Sequence, residues 1–152
     1  MDFEKPSPMS QAIESARMAL TRQEVPVGAV IVHGPTDRIV ARTGNQCLQR
    51  NDPTAHAEIL AIRSAGSAVG SGRLSDCDIY VTLEPCARCA AAISHARIRR
   101  LYYGATDPKG GAVESGPRFF SQPTCHHAPE VYGGMDEEAA AELLREFFRR
   151  KR

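Results

Sequence analysis

The chain of 152 residues lacks a long hydrophobic run. Its longest uninterrupted stretch of apolar residues and glycine covers only residues 27–32, far fewer than the roughly 20 that a membrane-spanning helix needs. Residues 1–6 also lack the basic and then apolar pattern of a secretory signal peptide, because they contain acids and a proline. These absences argue against a membrane protein or a secreted one. We therefore expect a soluble, cytoplasmic protein with no membrane partner.

The chain also lacks an even set of cysteines. An odd number argues against the disulfide framework that stabilises many small secreted domains, and it leaves thiols free for metal binding. The five cysteines are Cys47, Cys77, Cys86, Cys89 and Cys125.

A strong net charge is missing as well, since 19 Lys and Arg face 18 Asp and Glu and the formal net charge is +1. A value so close to zero does not indicate a nucleic-acid-binding protein by itself. The distribution is uneven, however, because residues 145–152 contain five cations and only one acid, Glu146. The basic C-terminus is thus the part of the composition that leaves a nucleic-acid partner open.

Hydrophobic patterning predicts a single domain, residues 1–152, in which helices and strands alternate. We predict helices near 9–20, 53–62 and 85–96 and after 136, and strands at 27–32, 39–43, 78–83 and 99–104. Residues 104–131 are typical of a loop, with a short fifth strand near its end. This alternation predicts an α/β fold, a three-layer α/β/α sandwich around a mixed five-stranded sheet.

The last predicted helix has its own capping residue and its own apolar face. Asp136 is expected to cap its N-terminus, as aspartate commonly does. Spacing of three and four residues then predicts one apolar face that packs on the core. That face would contain Ala140, Leu143, Leu144, Phe147 and Phe148.

Two short motifs carry the chemistry, His56-Ala57-Glu58 and Pro85-Cys86-Ala87-Arg88-Cys89. One imidazole and two thiolates make three zinc ligands, whereas a structural site needs four and a catalytic site leaves a position open for water. Cys86 and Cys89 are three residues apart, so they share one helix face, and the helix dipole at an N-terminus favours thiolates. We predict that His56, Cys86 and Cys89 bind one Zn²⁺ ion.

Glu58 is the expected catalytic residue. It is too close to His56 in sequence to serve comfortably as a fourth ligand. A carboxylate in this position can take a proton from zinc-bound water and return it to a ring nitrogen and then to a leaving amine. The combined pattern H-x-E … P-C-x-x-C is the known signature of zinc-dependent nucleobase deaminases, so the sequence predicts hydrolytic deamination.

Each motif alone has a simpler interpretation. H-x-E alone is more often a pair on a helix surface than a metal site. P-C-x-x-C alone could be a redox pair or half of a structural zinc site. The residues that could supply a fourth structural ligand are Cys47, Cys77, Cys125, His126 and His127.

Beyond these motifs, the chain resembles the bacterial tRNA-specific adenosine deaminases, members of the cytidine/deoxycytidylate deaminase superfamily. That family converts the wobble adenosine of a tRNA anticodon to inosine, so the resemblance implies a tRNA anticodon stem-loop as partner, one zinc per subunit and a homodimer. The cytidine-deaminase-like fold is implied with them. The segments that carry the resemblance are 25–30, 51–58, 80–86, 103–105, 107–112 and 147–149.

The resemblance also implies roles around the target base. Asn45 would hydrogen-bond the flipped adenosine, and Val27 would form a wall beside the base. The backbone amides around Ala57 and Cys86 would orient the base and the attacking oxygen.

Further contacts to the RNA are implied outside the base pocket. Asp107 would contact the backbone or sugar beside the target nucleotide. Phe148 and Arg149 would lie near the anticodon loop, with the basic tail neutralising phosphates. Arg88 departs from the family, in which many members have methionine between the two cysteines, and zinc binding is expected to survive this change.

Two other functions remain open at this point. A free-base or nucleoside deaminase, acting on guanine, cytosine or cytidine, would keep the same metal ligands and glutamate. It would give no reason for a basic, aromatic C-terminal helix. A non-catalytic zinc-containing RNA-binding subunit would have no use for Glu58.

Overall fold

The computed structural model describes residues 6–151, so residues 1–5, on which the signal-peptide argument depends, and Arg152 of the basic tail lie outside the described residues. Within this range, none of the helices is both long and apolar enough to cross a bilayer. The helices are α1 (Pro8–Thr21), α2 (Ala57–Val69), α3 (Ala87–His95) and α4 (Glu137–Arg150), with a 3₁₀ turn at Phe119–Ser121. The strands are β1 (Gly28–His33), β2 (Arg38–Gly44), β3 (Cys77–Leu83), β4 (Arg100–Ala105) and β5 (Glu130–Tyr132).

The five strands form one mixed sheet in the order β2-β1-β3-β4-β5. β1 pairs antiparallel with both β2 and β3, whereas β3–β4 and β4–β5 are parallel. The predicted mixed five-stranded sheet is confirmed, including the short fifth strand at the end of the long loop.

Helices cover both faces of the sheet and create two apolar layers. On one face, α1 packs against the sheet through Met9 and Ile13, which contact Val30 and Val32 of β1, and α4 adds Leu143. On the other face, α2 and α3 bury their small residues against the alternate residues of the same strands. The three-layer arrangement follows because each strand of the centre presents an apolar side chain to both faces.

Close packing of α1 explains a glycine at the start of β1. A Cβ atom on Gly28 would lie 1.9 Å from the carbonyl oxygen of Ala12 in α1. Any side chain there would therefore push α1 off the sheet. The Gly28 amide instead donates to the Thr82 hydroxyl at 3.1 Å, which joins the beginning of β1 to the end of β3.

One edge of the sheet gathers the chain segments that the sequence singled out. Val27 precedes β1, Asn45 follows β2, Cys86 follows β3 and Asp107 follows β4. Because β1 runs against its two neighbours, its beginning lies beside their ends, as the pairings of Gly28 with Gly44 and of Ala29 with Val81 show. Ligands of open α/β sheets bind at such an edge, beyond the carboxyl ends of the strands.

Two helices begin later than predicted. Helix α2 was expected to open at Pro53, but it starts at Ala57, and helix α3 starts at Ala87 rather than Pro85. Asp52 uses its carboxylate for a local turn, accepting hydrogen bonds from the Thr54 amide at 2.8 Å and from the Thr54 hydroxyl at 2.7 Å. Aspartate side chains form such turns in competition with helix caps.

The prediction for the last helix was right about its position and wrong in two details. Asp136 is the N-cap of α4, but it adopts a left-handed conformation (φ 53°) and its side chain makes no capping hydrogen bond. Phe147 is buried, whereas Phe148 is 55% exposed and therefore does not belong to the apolar face. Leu143 and Leu144 are half-buried.

Candidate metal centre and active site

The three predicted zinc ligands meet between the N-termini of two helices. His56 is the N-cap residue of α2, Cys86 is the N-cap residue of α3, and Cys89 lies one turn further along α3. The His56 Nδ1 atom lies 3.7 Å from the Cys86 sulfur and 3.5 Å from the Cys89 sulfur. Because both helices begin later than predicted, His56 and Cys86 lie at the helix N-termini. The positive end of the helix dipole there favours the thiolate form of Cys86.

These distances fit a tetrahedral zinc ion. Zinc bonds of about 2.3 Å to sulfur and about 2.05 Å to nitrogen, at a tetrahedral angle, separate the two ligand atoms by about 3.6 Å. The two measured separations fall on either side of that value. Among residues 6–151, this trio is the only group of three or more His, Cys, Asp or Glu side chains close enough to hold a metal ion. The centre therefore matches a three-ligand site with one open position.

Hydrogen bonding already prepares one thiolate in the protein. The pKa of Cys86 is lowered to about 3, mainly by a hydrogen bond from Cys89 and also by one from His56, although burial opposes the shift. The same hydrogen bond and burial raise the pKa of the Cys89 thiol. The Cys86 contact raises the pKa of His56. Binding of zinc is consequently expected to displace the protons of Cys89 and His56.

Glu58 lies in the first turn of α2, two residues after His56, and is only 4% exposed. Burial raises the pKa of its carboxyl group. A carboxyl group whose pKa is raised towards neutral pH can both accept and donate a proton. The location and the environment agree with the proton-transfer role predicted for it.

A pocket of about 250 Å³ opens beside the metal centre, and Glu58, His56 and Cys86 line it. Three residues predicted to bind the substrate line it too, namely Val27, Asn45 and Asp107. The structure thus gathers these six residues around one cavity. Its remaining lining residues are Val25, Leu83, Glu84 and Gly110.

A hydrogen bond that the sequence did not predict joins Asn45 and Ala57. The Asn45 side-chain oxygen accepts a hydrogen bond from the Ala57 amide at 2.8 Å. Asn45 is thereby fixed in orientation, with its carbonyl oxygen towards α2. The Ala57 amide is engaged by this bond, so its predicted contact with the substrate stays a prediction.

A wider groove continues from the pocket towards α4. It has a volume of about 850 Å³ and shares four lining residues with the pocket: Val25, Leu83, Asp107 and Gly110. Phe148 also lines the groove, and Lys109 and Lys151 bring positive charge to it. The exposed ring of Phe148 therefore forms part of the groove wall.

Arg149 does not line this groove. Its guanidinium forms ion pairs with Glu142 at 3.3 Å and Glu146 at 3.0 Å on its own helix. Arg150 pairs with Glu146 as well, at 2.9 Å. Exposed pairs of this kind contribute little to stability, about 0–1 kcal/mol, so they exchange readily for other anions.

The Cys125-His126-His127 segment has a structural role. The Ser94 hydroxyl donates to the His127 carbonyl oxygen at 2.6 Å, and Arg97 donates to the His126 carbonyl at 3.2 Å. The His127 ring nitrogen Nε2 lies 2.7 Å from the Ile98 carbonyl oxygen. These contacts attach the long loop to the end of α3, and among the described residues no further ligand group forms around them.

Sequence reasoning missed two buried glutamates near the site. Glu24 accepts the amides of Leu48 and Gln49, which holds the turn after β2. Glu84 accepts several amides of the loop that follows β4. Glu84 directly follows an apolar strand and precedes the cysteine motif. An acid in such an apolar context is a signal from which a buried, hydrogen-bonded carboxylate could have been predicted.

Arg88, which replaces the methionine that many members of the family have between the two cysteines, connects the two segments that carry the metal ligands. Its guanidinium donates to the Pro53 carbonyl oxygen at 3.2 Å, which connects α3 to the segment before His56. It is exposed and does not line the pocket.

We expect Arg88→Met to leave one zinc per chain and to reduce the free energy of unfolding by about 1 kcal/mol, because one hydrogen bond is lost. Metal analysis by mass spectrometry and a thermal melt measure the two quantities. A variant purified with less than half of the wild-type zinc would show that Arg88 supports the metal directly.

The model for the cytidine and deoxycytidylate deaminase zinc-binding region matches residues 4–105 of the chain. That range includes all three metal ligands and Glu58. The chain belongs to this deaminase family. Membership favours one zinc site over two unrelated motifs, because His56, Cys86 and Cys89 form one cluster within the family's zinc-binding region.

Two relatives are especially similar to this deaminase. A tRNA-specific adenosine deaminase of Agrobacterium fabrum is 64% identical over 144 residues, which cover 95% of this chain and 93% of the relative. A solved structure from studies of A-to-I editing by tRNA:A34 deaminases at the wobble position of transfer RNA is 63% identical, with a TM-score of 0.88. That match covers 90% of this chain and 98% of the solved one.

A more distant member of the same fold acts on a free base. The guanine deaminase of Bacillus subtilis is 29% identical to this deaminase and has a TM-score of 0.65. The match covers 97% of this chain and 95% of that structure. The fold alone therefore does not distinguish a nucleobase in RNA from a free base, and the residues around the site must do so.

Proposed function

We propose that this single-domain protein is a zinc-dependent hydrolase that deaminates adenosine to inosine at the wobble position of a tRNA anticodon. The observation that carries the proposal is a three-ligand metal centre beside the buried Glu58, in a pocket that opens into a long groove. The 64% identity to a tRNA-specific adenosine deaminase supports the substrate.

The residues of the pocket divide the chemistry among them. His56, Cys86 and Cys89 would hold the zinc ion, which would supply a water molecule with a pKa lowered towards neutral pH. Glu58 accepts the proton released in the attack on adenine C6 and delivers it to the ring nitrogen. Glu58 then takes the second proton of that water, from the hydroxyl group now on C6, and passes it to the amine. The C6–N bond breaks, ammonia leaves and C6 keeps a carbonyl oxygen. One carboxylate is sufficient because attack and departure take place at the same carbon atom.

The walls of the pocket would hold the base in place for this reaction. Val27 offers an apolar surface beside the ring, and Asn45 presents a side chain whose oxygen is already fixed by the Ala57 amide. A base that is unpaired in a loop costs less to extrude than a base in a duplex. Asp107, at the junction of pocket and groove, would contact the backbone or sugar next to the target nucleotide.

The groove supports RNA over a free base. It runs from the pocket to the exposed ring of Phe148, and a free base would leave it empty. Aromatic rings on protein surfaces stack with unpaired bases. Phe148 and Arg149 are accordingly proposed to lie near the anticodon loop.

A direct comparison of substrates tests the proposal. Purified protein should form inosine in an anticodon stem-loop with adenosine at the wobble position, measured by mass spectrometry of the digested RNA. Free guanine, cytosine and cytidine should release no ammonia above background under the same conditions. Ammonia from a free base, with the stem-loop unchanged, would favour the free-base alternative.

The salt dependence of RNA binding tests the charged groove. Lys151→Ala and Lys109→Ala should each reduce the slope of log K against log[salt] by about 0.7, the value for one phosphate contact of single-stranded RNA. Fluorescence anisotropy at several salt concentrations measures the slope.

Arg73→Ala is the matched control, because Arg73 lies in the turn that enters β3 at the other end of the sheet. It should leave the slope unchanged. A flat salt dependence of the wild type would mean that the basic tail, including Arg149, Arg150 and Lys151, is only a solvated helix end.

The proposal includes a homodimer with one zinc per subunit in the cytoplasm, where mature tRNA is available. The resemblance to tRNA deaminases supports the dimer. Analytical ultracentrifugation of the zinc-loaded protein should give twice the mass of 16.5 kDa. A single species of monomer mass at micromolar concentration would contradict this part of the proposal.

A further inference from the structure

The carboxylate of Glu84 is the most heavily used buried acceptor near the pocket. Glu84 is 2% exposed at the end of β3, one residue before the cysteine motif. Its Oε1 atom accepts the Asp107 amide and the Ser115 hydroxyl, both at 3.0 Å. Its Oε2 atom accepts the amides of Val113 at 3.1 Å, Glu114 at 2.9 Å and Ser115 at 3.0 Å. One side chain therefore holds both ends of the loop 107–115.

The loop is wrapped closely around this carboxylate. A Cβ atom on Gly111 would lie 2.5–2.6 Å from the carboxyl group of Glu84, so the position admits only glycine. The Ala112 amide donates to the Pro85 carbonyl oxygen at 2.8 Å. This bond attaches the loop a second time to the segment between β3 and the metal ligand Cys86.

Asp107 and Gly110 depend on this attachment for their place in the pocket wall. The Asp107 Oδ1 atom accepts the amides of Lys109 at 3.2 Å and Gly110 at 3.0 Å, so residues 107–110 form one compact turn. That turn lines both the pocket and the groove. Its first residue is held by the bond from the Asp107 amide to Glu84.

We propose that Glu84 is a positioning residue for the RNA substrate, which sets the 107–110 turn as the wall between the base pocket and the groove. The inference rests on the proposed function. Glu84 does not take part in proton transfer, and its role is to fix Asp107 against the nucleotide while the metal ligands and Glu58 carry out the reaction.

Glu84→Gln tests this role because it breaks one contact selectively. Glutamine can keep its single oxygen in the Oε2 position, where three amides converge. Its NH₂ group then faces the Asp107 amide, and two donors cannot bond each other. The Ser115 hydroxyl, in contrast, can accept from that NH₂ group.

With an anticodon stem-loop, Glu84→Gln should lower kcat/KM by about tenfold, mostly through KM, because the wall is displaced while the reacting groups stay in place. Zinc per chain should remain at the wild-type value. A role in stability alone would reduce the fraction of active protein, which lowers the apparent kcat and leaves KM unchanged. That second pattern would overturn the proposal.

Asp78→Asn is the matched control, since Asp78 is a second buried carboxylate and lies in β3 at the opposite end from Glu84 and the pocket. It accepts Arg99 Nε at 3.0 Å and Nη2 at 2.8 Å. This variant should lower the melting temperature and leave KM within about twofold of wild type, because no pocket residue depends on it. A KM increase equal to that of Glu84→Gln would show that any loss of a buried carboxylate has the same effect, which overturns the specific role.

Amide hydrogen exchange separates this inference from the proposed function. The Asp107 amide should exchange at least about tenfold faster in Glu84→Gln, whereas the amides of Val113 and Glu114 should change less. If the wild type does not deaminate the stem-loop, the proposed function fails, and the exchange pattern alone then judges whether Glu84 holds the turn. Equal protection of Asp107 in both proteins would overturn the inference.

Discussion

Glu58→Gln should lower kcat for inosine formation by about 10³- to 10⁴-fold, with zinc still bound. General acid–base catalysis by one side chain contributes about 10²–10⁴-fold, and the proposed mechanism assigns every proton transfer to this one carboxylate. Glutamine has the same shape but cannot take up the proton. Single-turnover kinetics with excess enzyme measure the chemical step directly, and metal analysis confirms occupancy.

The environment of Glu58 strengthens this expectation. Glu58 is 4% exposed, so its carboxyl group is largely shielded from bulk water that could replace it as a base. RNA affinity should stay within about threefold of wild type, because binding of the loop does not need the proton. Product formation at the wild-type rate would rule out the catalytic role and would favour a non-catalytic RNA-binding subunit.

Cys89→Ser should abolish activity by removing the metal. Cys89 is fully buried against His56, and a hydroxyl group is a far weaker zinc ligand than a thiolate. Loss of even an outer-shell partner costs about 10–100-fold in metal affinity, so loss of a direct ligand should cost more than about 100-fold. The purified variant should contain less than a tenth of the wild-type zinc and melt at a lower temperature.

Cys125→Ser is the matched control for this experiment. Cys125 is half-buried near the C-terminal end of α3, where its sulfur lies 3.6 Å from the Ser94 hydroxyl and donates to the His127 carbonyl at 3.2 Å. The variant should keep one zinc per chain and its activity within about twofold, because a serine can make the same contacts. Loss of zinc from Cys125→Ser would instead indicate that Cys125 is a fourth ligand and that the zinc site is structural.

Each motif of the metal centre could be predicted from the sequence because the spacing within it is local. A spacing of three puts Cys86 and Cys89 on one helix face, and Glu58 follows His56 by two residues. The sheet was predictable for the same reason, since short apolar strands such as β1 and β3 contrast with the helical spacing in α1.

Other features depend on contacts that no local pattern records. Glu84 and the amides of Val113–Ser115 are separated by about thirty residues, so the acid at the end of the apolar strand marks a special position but does not tell which loop it binds. The start of α2 was placed too early because Asp52 satisfies a turn instead of a helix. Phe148 was assigned to the apolar face on spacing alone, although the fold leaves it at the groove.

The position of inosine in tRNA tests the central claim most directly. Zinc-loaded protein would be incubated with unmodified tRNA transcripts that carry adenosine at the wobble position, and inosine would be mapped by sequencing, in which it reads as guanosine. We predict conversion at the wobble adenosine and at no other adenosine, with none in the Glu58→Gln variant. Unchanged wobble adenosine after prolonged incubation, with one zinc per chain confirmed, would contradict the account.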